Sequence, residues 1–287
     1  MIIDPKLLIV TPAHNEAEKI MDLARSLQNQ INFNSFNWLV VADSCTDRTL
    51  EVLEEVKNEM KLEFTTFDSS GRLISGGAFK AWRFGVENGL ICYPETTHIM
   101  KLDADVNLSQ DYFFELFKNA NSESAILGGV LTGISREQQD YVPGPVKMYS
   151  IEGFIAISSL PSAPGFDVMD EVLCEFKQLA VTVVKSARFS LNRPIGHSQG
   201  KLHGRYRNGR ICRWTGYAPE YFALHFLRYI FRKPYVFGSL FMLFGFISSN
   251  SGPYSKSLRS YHSRIQRQRL KRVLRHPVRE LTELYLH

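Results

Sequence analysis

Two apolar runs of the same layout constrain this chain more than any other feature. Lys6-Leu7-Leu8-Ile9-Val10-Thr11-Pro12 is stopped by a proline, and Trp38-Leu39-Val40-Val41-Ala42 runs into Asp43-Ser44-Cys45-Thr46-Asp47-Arg48-Thr49. Neither alternates polar with apolar residues, so each reads as a strand buried on both faces, the habit of parallel sheets. Behind the first lies Ala13-His14-Asn15-Glu16, then Ile20, Leu23, Ala24 and Leu27 at helical spacing within Ala17 to Gln28, with Asn15 placed as the N-cap. The second is followed by a helix reaching about Met60. A repeated β-loop-α unit implies parallel strands whose carboxyl-end loops face one crevice, where open sheets bind ligands.

Thr97-His98-Ile99-Met100-Lys101-Leu102-Asp103-Ala104-Asp105-Val106 extends the pattern: a strand runs into two carboxylates separated by one small residue. Side chains two apart on a strand share a face, and two hard oxygen ligands at a strand end suit Mg²⁺ or Mn²⁺ with positions left for substrate phosphate. The bland alternative is a solvated turn. Ser75 to Gly85 holds a glycine pair that opens a helix, where free N–H groups at Gly77 and the cation of Lys80 would cradle a phosphate; taken alone, the loop reads more readily as a turn with a packing glycine. There is no Walker-type Gly-Lys-Ser/Thr and no G-x-G-x-x-G, which argues against NTPase and dinucleotide-binding classes.

Further strands are expected at Ala125 to Leu131 and Val181 to Phe189, and Pro161-Ser162-Ala163-Pro164-Gly165 suits a loop on the acceptor side. That loop delivers Phe166-Asp167-Val168-Met169-Asp170-Glu171, an acid cluster opening a helix, which capping alone would account for.

Charge is split along the chain. Residues 1 to 175 carry 13 Lys+Arg against 26 Asp+Glu, whereas residues 176 to 287 carry 21 against 3. A basic half this strong calls for a polyanionic partner: phosphate-rich substrate, anionic membrane or nucleic acid. Between Arg193 and Arg210, glycines, histidines and arginines read as a basic loop able to close over a diphosphate. Tyr235 to Ile247 is thirteen residues without a charge, four of them phenylalanine, too short for a span of about 20 residues. Nine Lys/Arg and no acid follow between Lys256 and Arg279. An aromatic helix beside a polybasic segment points to attachment at an anionic membrane surface. Met1 to Pro5 shows no signal peptide, and four cysteines without a C-x-x-C pair fit free thiols, so an intracellular enzyme is expected.

The ordered set Val10 to Glu16, Val41 to Thr49 and Leu102 to Asp105 resembles the nucleotide-sugar-binding half of the family 2 glycosyltransferases, which are inverting enzymes of the GT-A fold. The resemblance implies an α/β fold with a mixed, mostly parallel central sheet flanked by helices and a C-terminal helical extension. It implies a glycosyltransferase domain over 1–215, split into a nucleotide-sugar half (1–110) and an acceptor half (111–215), with an aromatic, basic region over 216–287. It implies that Thr11, Pro12, Ala13, His14, Asn15, Glu16, Asp43, Gly77, Lys80, Asp103 and Ala104 bind the donor. Asp103 and Asp105, with His197 as a third ligand, would hold Mg²⁺ or Mn²⁺. The catalytic base would be Asp170, with Asp167 and Glu171 as alternatives. A glycan or lipid-linked acceptor and a peripheral position at the cytoplasmic face of a membrane complete the expectation, with no nucleic-acid partner.

Two rivals are weaker. A metal-dependent nucleotidyltransferase would place a glycine-rich loop with Arg and Lys after the first strand, where Thr11-Pro12-Ala13-His14-Asn15-Glu16 stands. A non-catalytic nucleic-acid-binding protein would use the basic half but has no need of an acidic crevice.

Overall fold

The computed structural model describes residues 6–33, 35–69, 77–119, 121, 123–133, 141–192 and 201–275. They fall into two compact units, one within residues 1–167 and 177–193, the other within 168–176 and 194–287.

The first unit is built on one mixed sheet of eight strands: β1 (Leu7–Ala13), β2 (Phe36–Asp43), β3 (Leu62–Phe67), β4 (His98–Leu102), β5 (Val106–Leu108), β6 (Ser124–Leu131), β7 (Val146–Ser150) and β8 (Ala180–Leu191). Their order is β3-β2-β1-β4-β7-β6-β8-β5. β1 pairs in parallel with β2, Leu7 opposite Phe36 through Ala13 opposite Ala42, and with β4, Leu7 opposite His98 through Val10 opposite Lys101. β3 joins β2 in parallel, whereas β7 runs antiparallel to β4 and β6. Beyond Val10, β1 pairs with β2 alone, so Pro12 sits where one side of the strand forms no ladder and its missing N–H costs little. This carries β1 two residues past the expected stop at Thr11.

Helices α1 (Ala17–Gln28), α2 (Thr49–Glu59), α3 (Gly77–Cys92), α4 (Tyr112–Asn119) and α5 (Ile151–Ile157) belong to this unit. Leu7, Ile9, Trp38 and Val40 pack in one buried cluster with Ile20, Leu23 and Leu27 of α1 and Leu53 and Val56 of α2. Trp38 donates its indole N–H to Thr11 Oγ1 at 3.0 Å, which satisfies a polar atom inside that layer. The opposite face, carrying Leu8, Val10, Leu39 and Val41, takes α3. Close approach there depends on Gly85, where an added Cβ would stand 2.5 Å from Val41 Cγ2 and 2.6 Å from Val10 Cγ1. Two covered faces explain why β1 and β2 show no polar alternation.

β3 was not legible as a strand. Leu-Glu-Phe-Thr-Thr-Phe mixes charge with β-branched residues because β3 is the sheet's edge, buried fully only at Leu62.

α6 (Phe166–Phe176) starts at two residues of the first unit and continues in the second. The second unit otherwise comprises α7 (Lys201–Trp214), α8 (Pro219–Ile230), α9 (Tyr235–Ser248) and α10 (Lys256–Arg275). The expected basic loop is corrected here: from Lys201 onward it is helix α7, and its arginines pack. Arg205 lies 3.9 Å from the Tyr229 ring centroid and Arg210 4.6 Å from that of Trp214. Gly209 is a contact glycine of this helix; a Cβ there would collide with the Met242 carbonyl of α9. α10 is held by His262, which donates from Nδ1 to Thr215 O at 2.7 Å, and by Gln266 Oε1, which accepts from Ala218 N at 2.8 Å.

Two predictions follow from this packing. Gly85→Val drives a β-branched side chain into Val10 and Val41 and is expected to lower unfolding free energy by about 1–3 kcal/mol, read from urea denaturation. Burial pushes His98 and His225 down to about 4 and lowers His262 as well. Below their unfolded value near 6.5 the unfolded chain binds protons that the native chain refuses, so stability is full above that pH and is lost as pH falls toward about 4. Denaturation midpoints near neutrality and in mild acid should differ in that direction.

Candidate active site

Parallel pairing brings the loops after β1, β2 and β4 to one edge of the sheet, and side chains then stitch them together. His14 donates from Nδ1 to Asp43 O at 2.7 Å. Asn15 adopts a left-handed φ of 55° and accepts at Oδ1 from Thr46 N (2.8 Å) and Asp47 N (3.3 Å). Asn15 is therefore a cross-loop clamp and not the N-cap of α1. That position is Glu16, which makes no side-chain cap bond. The capping work passes to Asp47, which accepts from Ala17 N at 3.3 Å and from Thr49 N at 3.0 Å. Slight burial works upward on the Asp47 carboxyl, and the hydrogen bonds from Thr49 and Ala17 outweigh it, holding it below its ordinary value. Thr11 and Ala13 are buried and Pro12 half-buried, while His14 and Glu16 are half-buried and Asn15 is exposed.

Asp43 is buried, and its Oδ1 accepts from Ser44 Oγ at 3.0 Å and Ser69 N at 2.9 Å. Ser44, at φ 49°, also donates to Asp68 Oδ1 at 3.1 Å. Asp68 stands just past the carboxyl end of β3, exposed on the same edge. It escaped sequence reasoning because its strand did. α3 begins at buried Gly77 and exposes Lys80 in its first turn, while Ser75 and Gly76 lie outside the described residues.

Asp103, Ala104 and Asp105 form a turn between β4 and β5 rather than the end of a straight strand, so the two-residue repeat does not govern their side chains. The turn is pinned from three sides. Asp103 N donates to Pro145 O (2.9 Å), Val106 N to Asp103 O (3.2 Å) and Asn192 N to Asp105 O (2.8 Å). Asp105 and Ala104 are buried. Asp103 keeps 34% of its side chain exposed and is paired with Lys101, 6% exposed, at 2.6 Å; Lys101 Nζ also donates to Gly144 O at 2.8 Å.

A second buried cation adjoins the first. Lys147 of β7 lies directly opposite Lys101 in the antiparallel ladder, is fully buried and donates to Asp167 O at 2.6 Å. Like charges so placed repel, and nearby carboxylates offset this. Burial drives the Lys101 ammonium down, but Asp103 and Asp167 outweigh it and keep the group above its ordinary value. Burial raises the Asp103 carboxyl; Lys101 opposes this, while Asp167 and Asp105 add to it. Gly144 lets the Asp167 carboxylate approach: a Cβ there would be 2.8 Å from its Oδ2. Lys101, Asp103, Asp105, Lys147 and Asp167 thus form one electrostatic cluster.

Asp170 is fully buried, and its Oδ1 accepts from Glu171 N at 2.7 Å; Glu171 is half-buried and Asp167 exposed. Asp170 and Glu171 belong to the second unit. His197, with residues 193–200, lies outside the described residues.

A doubly covered sheet of this order, with polar loops and an acidic turn at one edge, is the GT-A nucleotide-sugar transferase fold, as solved structures bear out. Mannosyltransferase PcManGT from Pyrobaculum calidifontis, solved with GDP-Man and Mn²⁺, is 15% identical over 98% of this chain and 85% of its own, with a TM-score of 0.57. Glucosyl-3-phosphoglycerate synthase from Mycobacterium tuberculosis, with Mn²⁺, UDP and phosphoglyceric acid, is 13% identical over 73% and 78%, TM-score 0.52. S. aureus TarS 1–349 in complex with UDP-GlcNAc is 16% identical over 72% of this chain, TM-score 0.51, and the chain spans 65% of that TarS length. At such identities the likeness is one of fold. No curated protein matches in sequence. The model of glycosyl transferase family 2 matches residues 8–158, and the chain belongs to that family.

Lys101→Met keeps length and removes the cation, leaving Asp103 facing two other carboxylates. Breaking a buried pair costs about 3–5 kcal/mol, and partial exposure of Asp103 should bring this nearer about 2. Urea denaturation of Lys101→Met, Asp103→Asn and the double variant should show the double recovering part of the loss.

Proposed function

We propose that this chain is an inverting, metal-dependent glycosyltransferase that moves a sugar from a nucleoside-diphosphate sugar to a hydroxyl of a glycan or lipid-linked acceptor, in cell-surface polysaccharide or glycolipid synthesis at the cytoplasmic face of a membrane. The observation that carries this reading is the Asp103-Ala104-Asp105 turn at the carboxyl end of β4, on the edge where the loops after β1 and β2 also end, in a member of family 2.

The donor set suits Mg²⁺ or Mn²⁺. Asp103 and Asp105 are hard oxygen donors, and among the described residues no group of three His, Cys, Asp or Glu is assembled to enclose an ion. Such a site leaves coordination positions to substrate phosphate and water, the habit of Mg²⁺. When bound, the ion would neutralise charge building on the departing diphosphate.

The remaining roles fall to the chain. His14, Asn15 and Glu16, with Asp43 and Asp68, shape the nucleoside pocket; Asp43 does so by fixing Ser44 and Ser69. Lys101 orients Asp103 and compensates the carboxylate cluster before donor arrives. Gly77 and Lys80 offer an N–H and a cation to phosphate. The acceptor proton goes to a carboxylate at the start of α6: Asp170, with Asp167 and Glu171 as the alternatives.

The test is a thermal-shift screen of UDP-, GDP- and dTDP-sugars with and without Mn²⁺, followed by turnover of the donor that binds. Asp105→Asn is expected to lower turnover by about 100-fold or more while far-UV circular dichroism stays unchanged. Unaltered turnover would sink the metal assignment. Asp167→Asn, Asp170→Asn and Glu171→Gln, assayed for transfer and for donor binding, identify the base as the one whose loss removes transfer and spares binding.

A further inference from the structure

Helix α9 is packed inside out. Its small residues Gly238, Ser239 and Gly245, with Met242, are buried, and the backbones of α7 and α9 approach so closely that a Cβ on Gly245 would collide with Tyr206 O. Leu243 and Phe246 pack inward beside Met242, but five large side chains point away: Phe237 and Ile247 are each 70% exposed and Phe244 62%, with Leu240 and Phe241 between them. These five recur at intervals of three and four residues and make one uninterrupted face. In water, burying the large apolar residues and exposing the small ones is the favourable arrangement. Small residues at the helix contact with bulky apolar residues outward is how helices pack in lipid. Phe231, 81% exposed in the turn before α9, extends the apolar surface.

The surroundings are cationic. Residues 201–275 carry sixteen Lys and Arg against a single acid, Glu220. Arg232 and Lys233 are exposed immediately before α9, and Arg205 donates to Lys233 O at 3.2 Å. At 14 residues α9 is about 21 Å long, short of the roughly 30 Å hydrocarbon core, and among the described residues no helix is long and apolar enough to cross a membrane.

We propose that the α9 face is a docking surface for an anionic lipid bilayer, with the helix lying in the interface, its phenylalanines among acyl chains and the flanking cations against headgroups. A second copy of this chain is the poorer occupant, since it would bring two strongly basic units together. The inference adds the acceptor's setting to the function proposed above and uses none of its catalytic residues. Donor binding in the thermal-shift screen reports on that function independently.

The experiment is flotation of the full chain with phosphatidylcholine vesicles, with and without phosphatidylglycerol, for the wild type and Phe237→Ser/Phe244→Ser. The wild type is expected to float with the anionic vesicles, about tenfold less with neutral ones, and the double variant to lose about 100-fold in partitioning at unchanged thermal melting. Phe244→Trp supplies a local readout, quenched by brominated lipid when the face is inserted. Absence of flotation, equal flotation of the double variant, an unquenched Trp, or a solution dimer that the double variant splits would each overturn the proposal.

Discussion

Parallel pairing of β1 with both β2 and β4 is the constraint from which the rest of the first unit follows. Parallel neighbours end at the same edge, so Ala13, Asp43 and Leu102 deliver their loops to one place, and the crossover connections must lie on the faces as helices. Those helices bury β1 everywhere but at Pro12, which is why its apolar run is continuous. Gly85 sets how near α3 can lie, and so where its first turn, with Lys80, begins. The loops would still be free to splay, and Asn15 prevents it. Holding a left-handed backbone, it gives the N–H groups of Thr46 and Asp47 in the second loop one acceptor. Two loops far apart in sequence are thereby tied into a single lip, and loops ordered in advance lower the ordering cost of binding any ligand.

Charge at that edge is arranged before any ligand arrives. Three carboxylates, half-buried Asp103, buried Asp105 and exposed Asp167, act on one another, and Lys101 of β4 and Lys147 of β7 stand opposite each other among them. Each lysine also reaches a backbone carbonyl, Gly144 O for Lys101 and Asp167 O for Lys147, so neither ammonium depends on a carboxylate alone. Buried pairs of this kind contribute little net stability and much geometry. Here the geometry is that of the acidic turn, whose backbone is tied to Pro145 and Asn192 as well.

What the sequence made legible was whatever depends on short-range pattern: the buried runs of β1 and β2, the helical repeats of α1, the acids at 103 and 105. What it hid depends on who stands opposite whom. Lys101 interrupts an apolar strand two residues before an acid, and Lys147 interrupts Val146-Lys147-Met148-Tyr149, but only the β4–β7 register makes them neighbours. β3 was hidden because an edge strand needs only one buried face, and Asp68 was lost with it. Asn15 before a helix looks like a cap, and no local rule announces that its acceptor is used thirty residues away. Gly209 of α7 looked like loop punctuation because its requirement comes from α9, whose backbone it touches.

The division of charge along the chain acquires a physical sense from the two units taken separately. The acidic unit concentrates carboxylates at a sheet edge, where a cation and the polar parts of a donor suit them. In the basic unit Arg205, Arg210 and Arg213 lie over aromatic rings, and Arg267 meets Glu220. Cations stacked on rings keep their charge and hold it at a fixed place near the surface. A strongly basic surface raises self-repulsion, and the outward phenylalanines of α9 add apolar area that water disfavours. Each feature alone destabilises a free monomer, and a surface offering both negative charge and hydrocarbon relieves both.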